Sequence, residues 1–246
     1  MKQAILLCGV GTAVESARQK TFCRLERELA ELLEIPCFSA FTSPIIRGKL
    51  AEKGIIVPDP EAALNALAAE GITHLILQPL MLADGGEYQK LTAIAREKAQ
   101  QFTELRLGTP LLSDESCCRA ILNRLSEAFP LKEQQRIILA AHGSDSPAPW
   151  TELSSLLSTI GRADILVAAL KGEPSLDSIL PQLTGAKKII LVPLMLTAGH
   201  HAVKDIAGDW EPRLLSLGFS VKTVTEGLAE QDWFSRICAG VIHKFP

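Results

Sequence analysis

Ile189-Ile-Leu-Val-Pro-Leu-Met-Leu-Thr-Ala-Gly-His-His-Ala202 is an apolar run that passes through Pro-Leu-Met-Leu directly into two adjacent histidines. A near copy stands at Leu75-Ile-Leu-Gln-Pro-Leu-Met-Leu-Ala-Asp-Gly-Gly-Glu-Tyr88, where Gly86 and Glu87 occupy the places of His200 and His201. Each run reads as a buried strand closing on a polar loop. Strands without polar alternation belong to parallel sheets with helices on both faces. The doubled run therefore predicts an α/β protein with an internal duplication.

Working outward, the same strand-then-helix pattern extends in both directions. Ala4 to Cys8 is a strand closing on Gly9-Val-Gly-Thr12, and Phe22, Leu25, Leu29 and Leu32 space a helix over Glu15 to Leu33. The third glycine of a dinucleotide fingerprint would fall at Val14, so Gly9-x-Gly11 reads as a tight turn. Pro36 to Phe41 is a second strand, and Thr42-Ser43-Pro44 opens a helix by N-cap chemistry. A helix over Glu61 to Glu70, a strand over Thr73 to Met81 and a loop at Asp84-Gly-Gly-Glu87 come next. A helix from Tyr88 to Phe102, a strand at Leu105 to Leu107 and a helix from Asp114 to Phe129 complete this half.

Polar Leu131-Lys-Glu-Gln-Gln135 precedes a restart of the pattern, which places a boundary between halves 1–130 and 131–246. Arg136 to Ala141, Asp164 to Leu170, Lys187 to Leu196 and Phe219 to Val224 are the strands of the second half. Pro174 suits the first turn of a helix running to Leu183, helices start near Trp150, Ala202 and Trp210, and an amphipathic helix over Asp232 to Lys244 closes the chain. The Pro-Leu-Met-Leu copies are 114 residues apart, at Pro79 and Pro193, while Val10-Gly11 and His142-Gly143 are 132 apart. Duplication with drift in loop length accounts for both spacings.

Across 246 residues, 47% are apolar, 22% charged and 5% aromatic, which describes aliphatic sheets under helices. A formal net charge of −3, with no run of Lys or Arg, argues against nucleic acid or an anionic membrane surface as partner. No window approaches the ~18 apolar residues of a membrane span. The six cysteines show no C-x-x-C spacing, which favours a reducing, cytoplasmic setting. No sequence pattern points to a particular oligomeric state.

In an open α/β sheet, ligands bind outside the carboxyl ends of the strands. His142, Glu173 and His201 each follow a strand of the second half. Two imidazoles and a carboxylate suit a divalent first-row metal with exchangeable positions, without ranking cobalt, nickel, iron or zinc. Each has a plainer role too: His142 bonding a turn, His200 and His201 capping a helix, and Glu173 complementing a helix N-terminus. Ser144 beside His142 lacks the G-x-S-x-G elbow of a nucleophile. His74 and His243 lie away from this edge.

The spaced combination of Gly9-Val-Gly-Thr12, Phe41-Thr-Ser43, Ile46-Arg-Gly-Lys-Leu50, Gln78-Pro-Leu-Met-Leu82, Gly85-Gly-Glu-Tyr88, Gly108-Thr-Pro-Leu-Leu112, His142-Gly143 and Pro193-Leu-Met-Leu-x-Ala198-Gly-His-His-Ala202 resembles the anaerobic sirohydrochlorin cobaltochelatases, class II tetrapyrrole chelatases. The resemblance spans the whole chain. It implies two flavodoxin-like halves with parallel sheets and a tetrapyrrole cleft between them, with metal bound by two histidines and a glutamate. The histidines fall on His142 and His201. The family's Val-Glu-x-Tyr-Pro pattern puts Lys171 at the glutamate position and Glu173 at the tyrosine position. His200 stands where relatives carry an acidic residue, as a further ligand or proton acceptor.

The implied reaction inserts Co²⁺ into sirohydrochlorin, or its precursor precorrin-2, for cobalamin biosynthesis, with Fe²⁺ or Ni²⁺ as alternative metals. A non-catalytic tetrapyrrole or metal carrier is a second reading. Glu87, the counterpart of His201, is a candidate base or metal-entry ligand, or a solvated loop residue. Met81, Leu82, Met195 and Leu196 are candidate walls against the macrocycle, or strand core. Arg47 or Lys49 is a candidate anchor for the substrate's carboxylates.

Overall fold

The computed structural model describes residues 2–130, 132–143, 148–197, 199 and 202–244, with the side chains of Ala202 and Val203 excepted. Within the first sheet, β1 (Gln3–Gly9) lies between β2 (Cys37–Phe41) and β3 (His74–Pro79), and β4 (Glu104–Leu107) pairs with the far side of β3. Every pairing is parallel, with Gly9 opposite Phe41 and Cys8 opposite Pro79. Ala4 to Cys8 are fully buried, as a strand covered on both faces requires.

The second sheet repeats this order. β5 (Gln135–Ala141) lies between β6 (Ile165–Ala169) and β7 (Lys188–Leu194), and β7 also pairs with β8 (Ser220–Thr223). Ala141 is opposite Ala169 on one side and Leu194 on the other. Both sheets thus show the 2-1-3-4 order of a flavodoxin-type doubly wound fold, whose order reverses beside the central strand. The expected α/β duplication holds at the level of strand order and register.

Helices follow the strands as their sequences dictate. α1 (Glu15–Arg18) passes through one wide π-type stretch (Gln19–Cys23) into α2 (Arg24–Leu33), which buries Leu25 and Leu29. Ser43 caps α3 (Pro44–Ala51) by accepting from Ile46 N–H at 3.3 Å, and Asp59 caps α4 (Pro60–Ala69) by accepting from Ala62 N–H at 2.8 Å. In both, proline fills the first helical position, where no N–H is needed. α5 (Gly86–Lys98) and α6 (Glu115–Ala128) complete the first run of helices. α7 (Ala148–Thr159), α8 (Leu176–Ile179), α9 (Glu211–Ser216) and α10 (Phe234–Ile242) belong to the later part of the chain. A π-type stretch (Ala202–Trp210) leads into α9.

Several boundaries differ from the sequence expectation. Strands β3 and β7 end at Pro79 and Leu194, so Met81-Leu82 and Met195-Leu196 lie beyond the ladders. Helix α5 starts at Gly86, which places Glu87 in its first turn rather than in the preceding loop. Pro174 sits ahead of α8, joined to Glu173 by a cis peptide bond, and Ser175 provides the cap by accepting from Ser178 N–H at 3.3 Å. A hydroxyl satisfies an orphan N–H that proline at the cap could not.

Compact units cut across chain order. One comprises 1–118 with 232–246, the other 119–231, so the C-terminal helix α10 packs in the unit that holds the first sheet. Its own core includes Leu6, Ala40, Leu64, Leu77 and Leu91. Ile138, Ala168, Ile189, Leu191 and Leu214 belong to the core of the second unit. Among the described residues no helix is long and apolar enough to cross a membrane.

Candidate functional site

The strand order reverses beside β1 in the first unit and beside β5 in the second, and it is at the carboxyl edge of such a reversal that open α/β sheets bind ligands. In the first unit this edge carries a cavity of about 480 Å³ lined by Val10, Thr42, Arg47, Asp59, Glu87 and Lys90, among others. The loops after β1 and β2 meet where Thr42 N–H donates to Gly9 O at 2.8 Å. Two candidate residues that are 40 positions apart, Arg47 and Glu87, thus line one cavity.

Glu87 is half-buried and accepts from Lys90 Nζ at 2.9 Å, one helical turn on. The Thr42 hydroxyl beside it and the Lys90 ammonium hold its carboxyl below the ordinary range, against partial desolvation. Thr42 Oγ1 is buried and outside hydrogen-bond geometry, so the Lys90 contact is the firm bond of the two. A carboxylate held this way stays ionised near neutrality, which suits holding a cation more than abstracting a proton.

Arg47 Nη1 donates to Asp59 Oδ2 at 3.1 Å, while its Nε is buried without a partner among the described residues. A buried donor of this kind is costly to leave unmet. Lys49 is exposed and absent from the cavity lining. Asp59, Thr42 and Lys90 were not singled out as site residues from the sequence. The legible signals were the Pro-Asp-Pro cap for Asp59 and the three-residue spacing from Glu87 for Lys90.

In the second unit, His142 directly follows β5 and is exposed. The β6 loop lies against it: Leu170 N–H donates to Ala141 O at 2.8 Å, and Lys171 N–H to His142 O at 3.2 Å. Glu173, two residues on, is fully exposed, and its Oε2 accepts from Ser175 N–H at 2.8 Å. That backbone bond, with the Ser178 and Ser175 hydroxyls, lowers the carboxyl from its ordinary range. The structure therefore places His142 and Glu173 on adjoining loops.

His200 and His201, and Ser144, lie outside the described residues. Among the described residues no three His, Cys, Asp or Glu side chains form a metal-holding group. Met81 and Met195 pack in the cores of their units, whereas Leu82 and Leu196 are half-buried beside them. The two methionines are buried, and the two leucines keep part of their surface exposed. All six cysteines are free thiols.

The sequence profile described as cobalt chelatase (CbiK) matches residues 3–245. The chain belongs to this cobalt chelatase family. It is similar to the sirohydrochlorin cobaltochelatase of Salmonella typhimurium, 30% identical over 255 aligned residues covering 99% of this chain and 96% of the relative. It is also similar to the sirohydrochlorin cobaltochelatase CbiKC of Nitratidesulfovibrio vulgaris, 30% identical over 247 aligned residues covering 95% and 86%. Among solved structures, SirB from Bacillus subtilis with Fe³⁺ superposes with a TM-score of 0.71 at 19% identity, covering 99% of this chain and 95% of that one. CbiX, the terminal enzyme of siroheme biosynthesis in denitrifying bacteria, gives 0.63 at 19% identity with 99% of both chains covered. At these identities the structural likeness establishes the fold, and membership of the cobalt chelatase family rests on the profile and on the relatives.

Proposed function

We infer that this chain is a sirohydrochlorin cobaltochelatase, inserting Co²⁺ into the tetrapyrrole for cobalamin biosynthesis. The observation that carries the reading is the family match from residue 3 to 245, joined by the two cobaltochelatase relatives at 30% identity. Cobalt is here a substrate. Insertion removes two pyrrole N–H protons and strips the metal of its former ligands, so the site must hold Co²⁺ loosely and accept protons near neutral pH.

His142 and His201 are proposed to present the metal through neutral imidazoles and to take up the pyrrole protons. Glu173 is proposed as the third ligand, through the carboxylate oxygen that Ser175 does not occupy; its loop adjoins that of His142. His200 is proposed as a further ligand or proton acceptor. Glu87, ionised beside Lys90, is proposed to receive the incoming cation, while Arg47, which lines the same cavity, anchors a substrate carboxylate and Leu82 and Leu196 contact the macrocycle. A reducing cytoplasm suits six free thiols.

Purified protein incubated with sirohydrochlorin and Co²⁺, followed by absorption spectroscopy, tests the reading. Cobalt insertion well above the protein-free rate is expected. Tight spectral binding at the uncatalysed rate would instead identify a carrier.

A further inference from the structure

The loop that follows His142 turns on Gly143, whose φ of +103° lies in the region that side chains avoid. A Cβ at this position would fall on the carbonyl oxygen of Lys171, inside van der Waals contact, and lie 2.9 Å from its carbonyl carbon and 3.2 Å from its nitrogen. The obstacle is backbone, which cannot rotate aside as a side chain could. Gly11, at the equivalent place in the first unit with φ +87°, is backed instead by the ring of Phe41, a side chain.

Glycine in the second unit therefore lets two loop backbones close on each other. The seam continues into the sheet through the bonds from Leu170 N–H to Ala141 O and from Lys171 N–H to His142 O. Beyond it, the Glu173 carboxylate is tied to Ser175 N–H at the start of α8. From His142 to Glu173 every backbone step is bonded or in close contact.

We propose that Gly143 is a positioning residue: by admitting the Lys171 carbonyl it sets the separation of His142 and Glu173, and so the affinity for Co²⁺. The proposal rests on the reading of those two residues as metal ligands. Misplacing a ligand by about 1 Å weakens a metal site far more than it weakens a fold, because the bond lengths to the metal are narrow.

Titration calorimetry with Co²⁺ alone, together with thermal melting, tests it in the full chain. Four proteins are compared with wild type: Gly143→Ala, His142→Ala, the double variant, and a chain with one glycine inserted between Lys171 and Gly172. The insertion lets the β6 loop retreat without adding an atom at 143, and it decides the matter if Gly143→Ala does not fold. Both loop changes should weaken Co²⁺ binding at least tenfold, and the double variant should bind no more weakly than His142→Ala, since a residue acting through His142 has nothing left to act on. Wild-type affinity in either folded loop variant, or an additive loss in the double, overturns the role of Gly143. Wild-type affinity in His142→Ala overturns the ligand assignment itself, and the positioning role with it.

Discussion

Asp114 and Lys244, 130 residues apart in the chain, form a two-oxygen contact in which Lys244 Nζ donates to Oδ1 at 2.7 Å and to Oδ2 at 2.6 Å. The same carboxylate accepts from Cys117 N–H at 2.8 Å in the first turn of α6. One side chain thus satisfies a helix start and ties the end of α10 to it. Both residues belong to the unit built on the first sheet.

Acid stability should report this contact. Burial pushes the Asp114 carboxyl up, but the Lys244 ammonium, the Cys117 N–H and the Ser116 hydroxyl outweigh it and bring it down to about 2. A carboxyl depressed in the folded state stabilises fully above its ordinary pKa of about 3.9 and loses that contribution as pH falls toward 2. Asp114→Asn, which keeps a capping oxygen, should cost roughly 1 kcal/mol at pH 7 after allowing for the half-exposed lysine. Urea unfolding at pH 7, 4 and 2.5 should show the difference from wild type shrinking across the lower two.

Arg162 carries a second, more buried charge. Its Nε and Nη2 donate to the two oxygens of Asp164 at 2.8 Å each, and Nη2 also donates to Phe129 O at 3.0 Å, joining the segment after α6 to the start of β6. Arg162→Met leaves a buried carboxylate unpaired and should destabilise by about 3 kcal/mol, whereas Arg162→Met with Asp164→Leu should regain most of that. Comparable denaturation midpoints for the single and double variants would contradict the pairing argument.

Substrate affinity should respond to Arg47 and Asp59 in opposite directions. Arg47→Ala removes a guanidinium from the cavity lining and should raise KM for sirohydrochlorin about tenfold with little change in kcat, the pattern of a lost uniform binding contact. Asp59→Asn retains the α4 cap and weakens the hold on Arg47, so KM should fall. Steady-state kinetics followed by absorbance separates the two.

Metal insertion should depend on the second-half histidines and, less steeply, on Glu87. His201→Ala and His142→Ala should each abolish cobalt insertion while leaving the circular dichroism spectrum unchanged. Glu87→Gln should slow turnover roughly tenfold at subsaturating Co²⁺ without moving the acid limb of the pH–rate profile. That limb should follow imidazole, which ordinarily titrates near 6.5, because the Glu87 carboxyl is held below the ordinary carboxylate range. An acid limb displaced by Glu87→Gln would show that this carboxylate, rather than imidazole, is the titrating base.

Strand identity, parallel pairing and the duplication were legible because they depend on local apolar runs and their spacing. Pro79 and Pro193 mark the same structural place in both units, at the end of a strand on which the sheet order reverses. Helix starts were legible where capping chemistry is written in neighbouring residues, as at Ser43-Pro44, and were misplaced at Pro174, where Ser175 took the cap.

By itself the sequence determined the α/β class, the doubled alternation of strand and helix, and which loops bear imidazole and carboxylate, while its spaced motifs carried the family resemblance. The class, the alternation and the placing of the loops follow from short-range periodicity and from the rule that strand ends converge on one edge. Only the tertiary structure decided that Glu87 lines a cavity with Arg47, that Met81 and Met195 are core while Leu82 and Leu196 keep exposed surface, and that α10 belongs to the unit of the first sheet. Such facts depend on which distant groups meet: a carboxylate's charge state, a glycine pressed against a carbonyl and a helix's choice of partner are set by atoms tens of residues away, which no local pattern records.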